Sequence, residues 1–258
     1  MHALLSLRQT FALTVLAATL FTGCGSAALV TSSEPGEPVV VDAQLNEWGG
    51  KLQTLSSKDG LLAGVQNDDK HLYLSLSTRD VASIGSIMRA GLIIWVDPAG
   101  GKEQTFGIRF PLGLSMDDAG ERRLSEGAAA DRVRIERSTQ EVEIIGADGQ
   151  AIRRHKDSIP GIVAAVEADQ GVLTYEIQVP LAHADGVLYA IGAKPGQEIG
   201  VGIATPDEFV VNAAQQPGFG GLPGGRMASA EERGYRGVPQ AGLGISTFKE
   251  WMLVTLAE

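Results

Sequence analysis

Short runs of alternating apolar and polar residues dominate the chain after about residue 38, and Gly, Pro, Asn and Asp separate these runs. Side chains along a strand point alternately to its two faces, so this pattern is typical of strands that bury one face. The segment 71–77 is a clear case, because three leucines alternate there with tyrosine and serine. The hydrophobic pattern therefore predicts a chain built mainly from β-strands.

The predicted strands cover 39–41, 61–65, 71–77, 92–96, 105–110, 133–136, 142–145, 162–167, 172–179, 199–204 and 251–256. The segment 92–96 is apolar on both faces, which favours a central strand, and 66–70 predicts a hairpin loop. The segment 81–89 fits either a short helix or a crossing loop, and 151–158 is ambiguous. Many short strands with few helical segments predict an all-β fold, namely an antiparallel β-sandwich of the jelly-roll type.

The segment 212–244 is rich in Gly and Pro and interrupts this pattern. A stretch of this length without regular structure is usually functional or disordered. Two hypotheses stay open: a mobile insertion that faces a ligand, and a disordered loop or one draped over the sandwich. We predict a single domain over 39–258 that carries this insertion.

The N-terminal segment has the order of a secretory signal: a basic start, an apolar stretch over 10–21 and a small residue before Cys24. The apolar stretch is shorter than the roughly 20 residues that a spanning helix needs. The segment around Cys24 resembles the lipobox of bacterial lipoproteins, with Phe21 where leucine is usual. This resemblance implies a lipoprotein signal peptide over 1–23 and a lipidated Cys24; an ordinary cleaved signal is the alternative.

The residues from 24 to 38 are small, polar and contain proline, so we predict a flexible tether that begins at the lipidated cysteine. Gly25 and Ser26 resemble the sorting pattern for the outer membrane rather than the inner membrane. We therefore expect the protein in the cell envelope, with the membrane as a partner through its lipid. The outer membrane, on its periplasmic side or at the surface, is the expected location.

The formal net charge is −10 over 258 residues, which argues against a nucleic-acid partner. Acidic side chains are compatible with cation binding. Cys24 is the only cysteine, so the chain has no internal disulfide.

Four segments, in order, resemble the family 9 carbohydrate-binding module and its DOMON-like relatives. The segment 41–48 (VDAQLNEW) is similar to that family's I-D-G-x-L-D-E-W opening, and 65–74, 91–98 and 175–181 are similar to its later strands. Ala43 and Asn46 depart from the pattern. The resemblance implies a β-sandwich that holds a sugar between exposed aromatic rings.

The tryptophans Trp48, Trp95 and Trp251 stand at strand or turn positions that are typical of a core. The remaining aromatic candidates for a ligand-binding surface are Tyr189, Phe209, Phe219 and Tyr235.

Calcium is the metal that the acidic residues favour, because it takes hard oxygen ligands from loops. The candidate ligands are Asp42, Glu47, Asp68, Asp69, Asp80 and Asp97. The alternative is that these residues only cap turns, where Asp is common anyway. Because some DOMON-like relatives bind haem, Met88 and Met116 are further candidates, although methionine more often fills a core.

Catalytic patterns are missing from the sequence: it has no H-E-x-x-H, no nucleophile elbow and no phosphate-binding loop. Glu176 alternates with apolar neighbours, so we expect it on an exposed face. We predict a non-catalytic lipoprotein whose sandwich binds a glycan or an envelope protein. The alternatives are a structural or assembly lipoprotein that contacts partners through 212–244, and a glycan hydrolase.

Overall fold

The computed structural model describes residues 27–113, 137–206 and 247–258. The strands of these residues are β1 Ala28–Thr31, β2 Gln53–Ser56, β3 Leu61–Asn67, β4 His71–Thr78, β5 Ile93–Asp97, β6 Phe106–Arg109, β7 Glu141–Gly146, β8 Ala151–His155, β9 Val163–Asp169, β10 Val172–Pro180, β11 Glu198–Ala204 and β12 Lys249–Thr255. The helix α1 spans Val81–Ala90, and Asn46–Trp48 and Lys156–Ser158 form 3-10 turns.

The strands form two sheets. One sheet has seven strands in the order β1-β12-β11-β5-β6-β7-β8, and the other has five in the order β2-β3-β4-β10-β9. Strand pairs are antiparallel except for β1, which runs parallel to β12. The predicted all-β sandwich is confirmed, and so is the central position of β5.

The hydrophobic core lies between the two sheets. The alternation in β4 places its three leucines in this core, where each is at most 1% exposed. The same core takes side chains from both sheets, including Ile94, Val96, Tyr175, Ile177, Val201, Ile203, Met252 and Val254. Each such burial stabilises the fold by about 1.5–3 kcal/mol.

The segment 81–89 forms a helix rather than a crossing loop. This helix, α1, connects the five-stranded sheet to the seven-stranded sheet. Asp80 caps its first turn by accepting a hydrogen bond from the Ser83 backbone N–H at 2.7 Å. The hydrogen bonds from Ser83 hold the pKa of Asp80 below its ordinary value. Ile87 is fully buried in the core. The helix ends at Gly91, whose φ of 90° suits glycine.

The predicted tether is wrong for residues 28–33, which belong to the sandwich. The strand β1 pairs with β12 in parallel, with Ala28 opposite Met252, and Ser33 forms a bridge with Gln66. Ser32 is buried and accepts a hydrogen bond from the Ala257 backbone N–H at 2.8 Å. Partners this distant in sequence leave no local signal in a segment rich in small and polar residues.

Two further strand predictions differ from the structure. The segment 39–41 lies outside any strand, and the strand β2 was not expected from the sequence. The ambiguous segment 151–158 forms β8 and a 3-10 turn. The predicted signal peptide, Cys24, the strand at 133–136 and the insertion at 212–244 lie outside the described residues.

Candidate ligand-binding cleft

The outer face of the seven-stranded sheet carries two parallel rows of side chains that cross the strands. The first row runs Trp251–Gly202–Trp95–Gly107–Ile145–Ala151 in the paired register of β12, β11, β5, β6, β7 and β8. The second row runs Lys249–Ala204–Ile93–Arg109–Glu143–Arg153 across the same strands. The first row therefore consists of tryptophans, glycines and aliphatic residues, whereas most residues of the second row are charged.

Glycines in the first row seat the two indole rings against the sheet. A Cβ atom at Gly107 would lie 2.6 Å from Trp95 Cζ3, and one at Gly202 would lie 2.9 Å from Trp251 Cε2. No side chain fits under either ring, so each indole lies over the backbone of the next strand. Trp95 is 8% exposed and packs with Ile93 and Ala204 in a small apolar cluster that is separate from the main core.

Polar groups lie beside Trp95. With its amide oriented so that the carbonyl faces them, Gln104 accepts hydrogen bonds from Trp95 Nε1 at 3.1 Å and from Lys249 Nζ at 3.2 Å. On the other side, Glu143 lies 3.6 Å from Arg109 Nη1 and 3.2 Å from Arg153 Nη2. Arg109 also donates to the Ala90 carbonyl at 2.9 Å. These contacts fix both ends of the charged row.

Members of both rows line an open cleft of about 300 Å³ on this face, whereas Trp251 and Arg153, at opposite ends of the rows, lie outside its lining. Its floor is apolar and includes Ile93, Trp95 and Ile145, whereas Gln104, Arg109, Glu143, Thr205 and Lys249 supply polar groups around the floor. An apolar, partly aromatic floor with a few polar groups is typical of a site for a small molecule or one unit of a chain. We therefore take this cleft as the candidate functional site.

The prediction that all three tryptophans belong to the core holds for Trp95, which is 8% exposed in a second core cluster, but this cluster lies on the outer face of its sheet and Trp251 is only partly buried against it. In β5 and in β12 the core takes Ile94, Val96, Met252 and Val254, so the odd-numbered tryptophans face outward. The alternation of each strand already carried this information. The apolar character of both faces of β5 concealed it, because an outer face with tryptophan and isoleucine resembles a second core face.

Trp48 is a core residue as predicted, although it packs on the outer face of the five-stranded sheet. Its ring lies over Gly64, where a Cβ atom would be 2.8 Å from Cε3, and the side chain is 1% exposed. Its Nε1–H donates to Glu176 Oε1 at 2.5 Å. Glu176 Oε2 accepts from the backbone N–H groups of Asp42 at 3.0 Å and Ala43 at 2.8 Å.

The expectation that Glu176 is exposed is therefore wrong: the side chain is 1% exposed. It does lie on the outer face of its sheet, as the alternation indicates, but the segment 42–48 covers it. Burial raises the pKa of Glu176 above its ordinary value, its three hydrogen-bond donors oppose this rise, and the charge of Glu47 adds to it. Glu176 thus holds the covering segment on the sheet.

The six acidic residues predicted to bind calcium are spread over the molecule. Residues 27–113, 137–206 and 247–258 hold no group of three or more His, Cys, Asp or Glu side chains placed to share a metal ion. Asp68 and Asp80 lie at opposite ends of β4. Asp97 is 2% exposed and accepts backbone hydrogen bonds from Ala99 and Glu103 at 3.0 and 2.9 Å.

Asp42 and Asp80 likewise cap backbone N–H groups. The carboxylate of Asp42 accepts a hydrogen bond from the Gln44 N–H at 2.9 Å, and Asp80 caps the start of α1. Glu47 lies in the 3-10 turn beside Glu176, and Asp69 is exposed. Four of the six candidates thus accept hydrogen bonds from backbone N–H groups of their own turns, namely Asp42, Asp68, Asp80 and Asp97. The structure does not bring the six carboxylates together. Of the haem candidates, Met88 packs against the core and Met116 lies outside the described residues.

Asp68 closes the hairpin between β3 and β4. Burial acts to raise the pKa of Asp68, but hydrogen bonds from the backbone of Lys70 and His71 and from the Tyr73 hydroxyl outweigh this effect and lower the pKa. Burial, followed by the bond to Asp68, raises the pKa of Tyr73. A second open cleft of about 390 Å³ lies here, lined by Glu34, Asp69 and Glu258 among others.

Of the four aromatic residues predicted to bind a ligand, one lies in the described part of the chain. Tyr189 is half-buried and packs against the main core. Phe209, Phe219 and Tyr235 lie outside the described residues, as does Cys24. None of the helices in the described ranges has the length and apolar character that crossing a membrane requires.

No family model matches the chain, and no curated protein matches it. Similar solved structures include a family 9 carbohydrate-binding module from Caldicellulosiruptor kristjanssonii in complex with glucose, with 10% identity over 69% of this chain and 78% of that one and a TM-score of 0.36. The same module in complex with cellotriose has 12% identity over 70% and 76%, with a TM-score of 0.34.

A protein from Bacteroides uniformis with proposed carbohydrate binding has 7% identity to this chain, over 70% of this chain and 84% of that one, and a TM-score of 0.39. Likeness at this level carries no argument about the ligand of the present chain, so any ligand has to be inferred from the cleft itself.

Proposed function

We propose that the protein is a non-catalytic carbohydrate-binding protein that holds a sugar in the cleft over Trp95. A sugar ring has apolar C–H faces and a rim of hydroxyl groups, so it needs an apolar, preferably aromatic floor and polar partners around it. The cleft offers both within about 300 Å³. Trp95, seated over Gly107, is the single observation that carries this proposal.

The polar groups of the cleft fit the hydroxyl rim. Gln104 is exposed, and its amide links Trp95 Nε1 to Lys249 Nζ. An amide offers both a donor and an acceptor to neighbouring hydroxyl groups. Because Glu143 is already bound between two arginines, the cleft presents a fixed set of partners before the sugar arrives, which lowers the ordering cost of binding.

The proposal is tested by measuring the binding of the purified protein to an array of oligosaccharides, and then the affinity of variants by calorimetry. We expect Trp95→Ala to weaken binding more than tenfold. Gln104→Ala should weaken binding about fivefold, which is about 1 kcal/mol for one hydrogen bond. Gln53→Ala is the matched control, because Gln53 is exposed on β2 in the other sheet.

Circular dichroism and thermal unfolding of each variant separate a lost contact from a lost fold. Gln104→Ala changes an exposed side chain, so its effect on affinity can be measured even if Trp95→Ala unfolds the sheet. Binding to no sugar of the array, or equal affinity of wild type, Trp95→Ala and Gln104→Ala, would contradict the proposal.

We also propose that Cys24 is acylated and holds the sandwich at the envelope membrane, on the outer-membrane side as the sequence favours. The strand β1 begins at Ala28, so only four Cα–Cα steps separate Cys24 from the sheet. Fully extended, these steps span at most ~14 Å, which would keep the sandwich close to the membrane. The proposed sugar would then be bound near the membrane surface.

Metabolic labelling with radioactive palmitate tests this second proposal. We expect the wild type to carry the label and to sediment with outer membranes. Cys24→Ser should lose the label and become soluble. An unlabelled wild type, or a label that persists in Cys24→Ser, would contradict it.

A further inference from the structure

We propose that the sugar bound in this cleft belongs to an anionic glycan chain that lies across the strands, with its carboxylate or sulfate groups facing the charged row. This inference rests on the proposed sugar-binding function and adds the charge and the direction of the ligand. Its basis is the second row of the outer face, Lys249–Ala204–Ile93–Arg109–Glu143–Arg153.

The charged row holds three cations and one carboxylate in a protein whose net charge is −10. The carboxylate of Glu143 is 14% exposed and lies between two guanidinium groups, at 3.6 Å from Arg109 Nη1 and 3.2 Å from Arg153 Nη2. Its charge is therefore already compensated. The row as a whole stays positive, in contrast to the rest of the molecule.

Lys249 is the cation that best reaches a ligand. It is exposed and lines the cleft, and its ammonium group contacts the neutral carbonyl of Gln104. A cation beside an apolar floor favours a ligand with an anionic group next to its apolar face. Arg153 lies at the other end of the row with 48% of its side chain exposed.

The row runs perpendicular to the strands and joins six of them. Neighbouring strands are about 4.8 Å apart, so Lys249 and Arg153 are separated by roughly 24 Å along the row. A single sugar ring covers only part of this length. The Trp95 row runs beside the charged row over the same six strands, so a chain following them would meet apolar and cationic groups together.

The test compares matched pairs of oligosaccharides in binding to the purified full-length protein. One arm uses galacturonate, glucuronate and mannuronate oligomers with their carboxyl-reduced forms, and the other uses a sulfated galactan oligomer with its desulfated form. The charged member of a pair should bind at least tenfold more tightly at low ionic strength. This preference should fall with added salt, because exposed charges are screened.

Lys249→Gln should remove most of this preference, because it removes the exposed cation that lines the cleft. Lys58→Gln is the matched control: Lys58 is exposed between β2 and β3 in the other sheet, so the net charge changes equally. Lys58→Gln should keep the preference. A preference lost in Lys249→Gln and kept in Lys58→Gln supports the inference, and the arm in which it occurs identifies the anionic group.

The other outcomes overturn the inference. Equal binding of charged and neutral members, unchanged in Lys249→Gln, would overturn it while the proposed sugar-binding function stands. If Lys249→Gln and Lys58→Gln lost the preference for the charged oligomer equally, the preference would come from the overall charge of the protein and not from the cleft. If no oligomer of either arm and no sugar of the array binds, the inference fails together with the proposed function.

Discussion

The outer faces of the two sheets use the same packing device with opposite results. On the five-stranded sheet, Trp48 comes from a loop, lies over Gly64 and is 1% exposed. On the seven-stranded sheet, Trp95 belongs to the strand itself, lies over Gly107 and is 8% exposed at the floor of an open cleft. A glycine in the neighbouring strand lets each indole ring lie flat.

The polar partners explain why one face is closed and the other open. The two carboxylate oxygens of Glu176 accept hydrogen bonds from the Trp48 indole and from two backbone N–H groups, so the segment 42–48 is held on the sheet. Beside Trp95, Lys249 is exposed and contacts a neutral amide. A buried polar set that satisfies itself stabilises a fold, whereas a polar set at the edge of a cleft can bind a ligand.

The largest expected effect comes from opening the closed face. Glu176→Ala leaves Trp48 Nε1 and the N–H groups of Asp42 and Ala43 without an acceptor, and we expect a loss of about 3 kcal/mol in the free energy of unfolding. Urea unfolding measures this change. Glu167→Ala on β9 removes an exposed carboxylate and should cost less than about 0.5 kcal/mol. A similar small cost for Glu176→Ala would contradict the role of Glu176.

A pair of glycine substitutions sharpens the comparison. Gly64→Ala and Gly107→Ala place a Cβ atom 2.8 and 2.6 Å from the indole rings of Trp48 and Trp95, so each ring must move. We expect Gly64→Ala to cost about 2 kcal/mol of stability and to leave sugar affinity unchanged. Gly107→Ala should lower sugar affinity, measured by calorimetry on the folded protein. A loss of sugar affinity in Gly64→Ala but not in Gly107→Ala would contradict the assignment of the sugar site to the Trp95 face.

The pH dependence of stability tests the burial of Glu176. Its folded-state pKa is raised above the ordinary value of 4.5, so the folded state holds this proton more tightly than the unfolded state. The resulting stabilisation is present below the unfolded pKa and is lost as the pH rises through the folded pKa. The stability of wild type relative to Glu176→Gln should therefore decrease from pH 4 towards neutral pH. A difference that increases with pH would contradict this prediction.

The smallest effect concerns the polar edge of the closed face. Tyr73→Phe removes the hydroxyl that donates to Asp68 Oδ2 at 2.8 Å, and we expect a loss of about 1 kcal/mol in stability. The pKa of Asp68 should rise towards its ordinary value, because one of the donors that lower it is gone. A carboxyl NMR titration of Asp68 measures this, and an unchanged pKa would show that the backbone donors alone set it.

The sequence predicted those parts of the fold whose signal is local. The alternation predicted the strands β4, β6 and β10, whereas the segment 81–89 left a helix and a crossing loop open and only the structure decided for α1. The strand β1 escaped prediction because its partner, β12, lies more than two hundred residues away. Its small and polar neighbours made the segment look like a tether.

The candidate cleft was only half predictable for the same reason. The alternation in β5 and β12 places Trp95 and Trp251 on the outer face, but which face is covered depends on other parts of the chain. Glu176 is the converse case: the alternation gave the correct face, and the distant segment 42–48 buried it. The charged row depends on the register of six strands, and no local pattern specifies that register.

The central claim is that sugar binds over Trp95 while the face around Trp48 stays closed, and the indole N–H signals of the three tryptophans test it directly. The signals are assigned with single Trp→Phe variants and followed in nitrogen–proton NMR spectra during titration with the oligosaccharides of the matched pairs. We predict a saturable shift of the Trp95 signal and no shift of the Trp48 signal. A saturable shift at Trp48 with Trp95 unchanged would contradict the account.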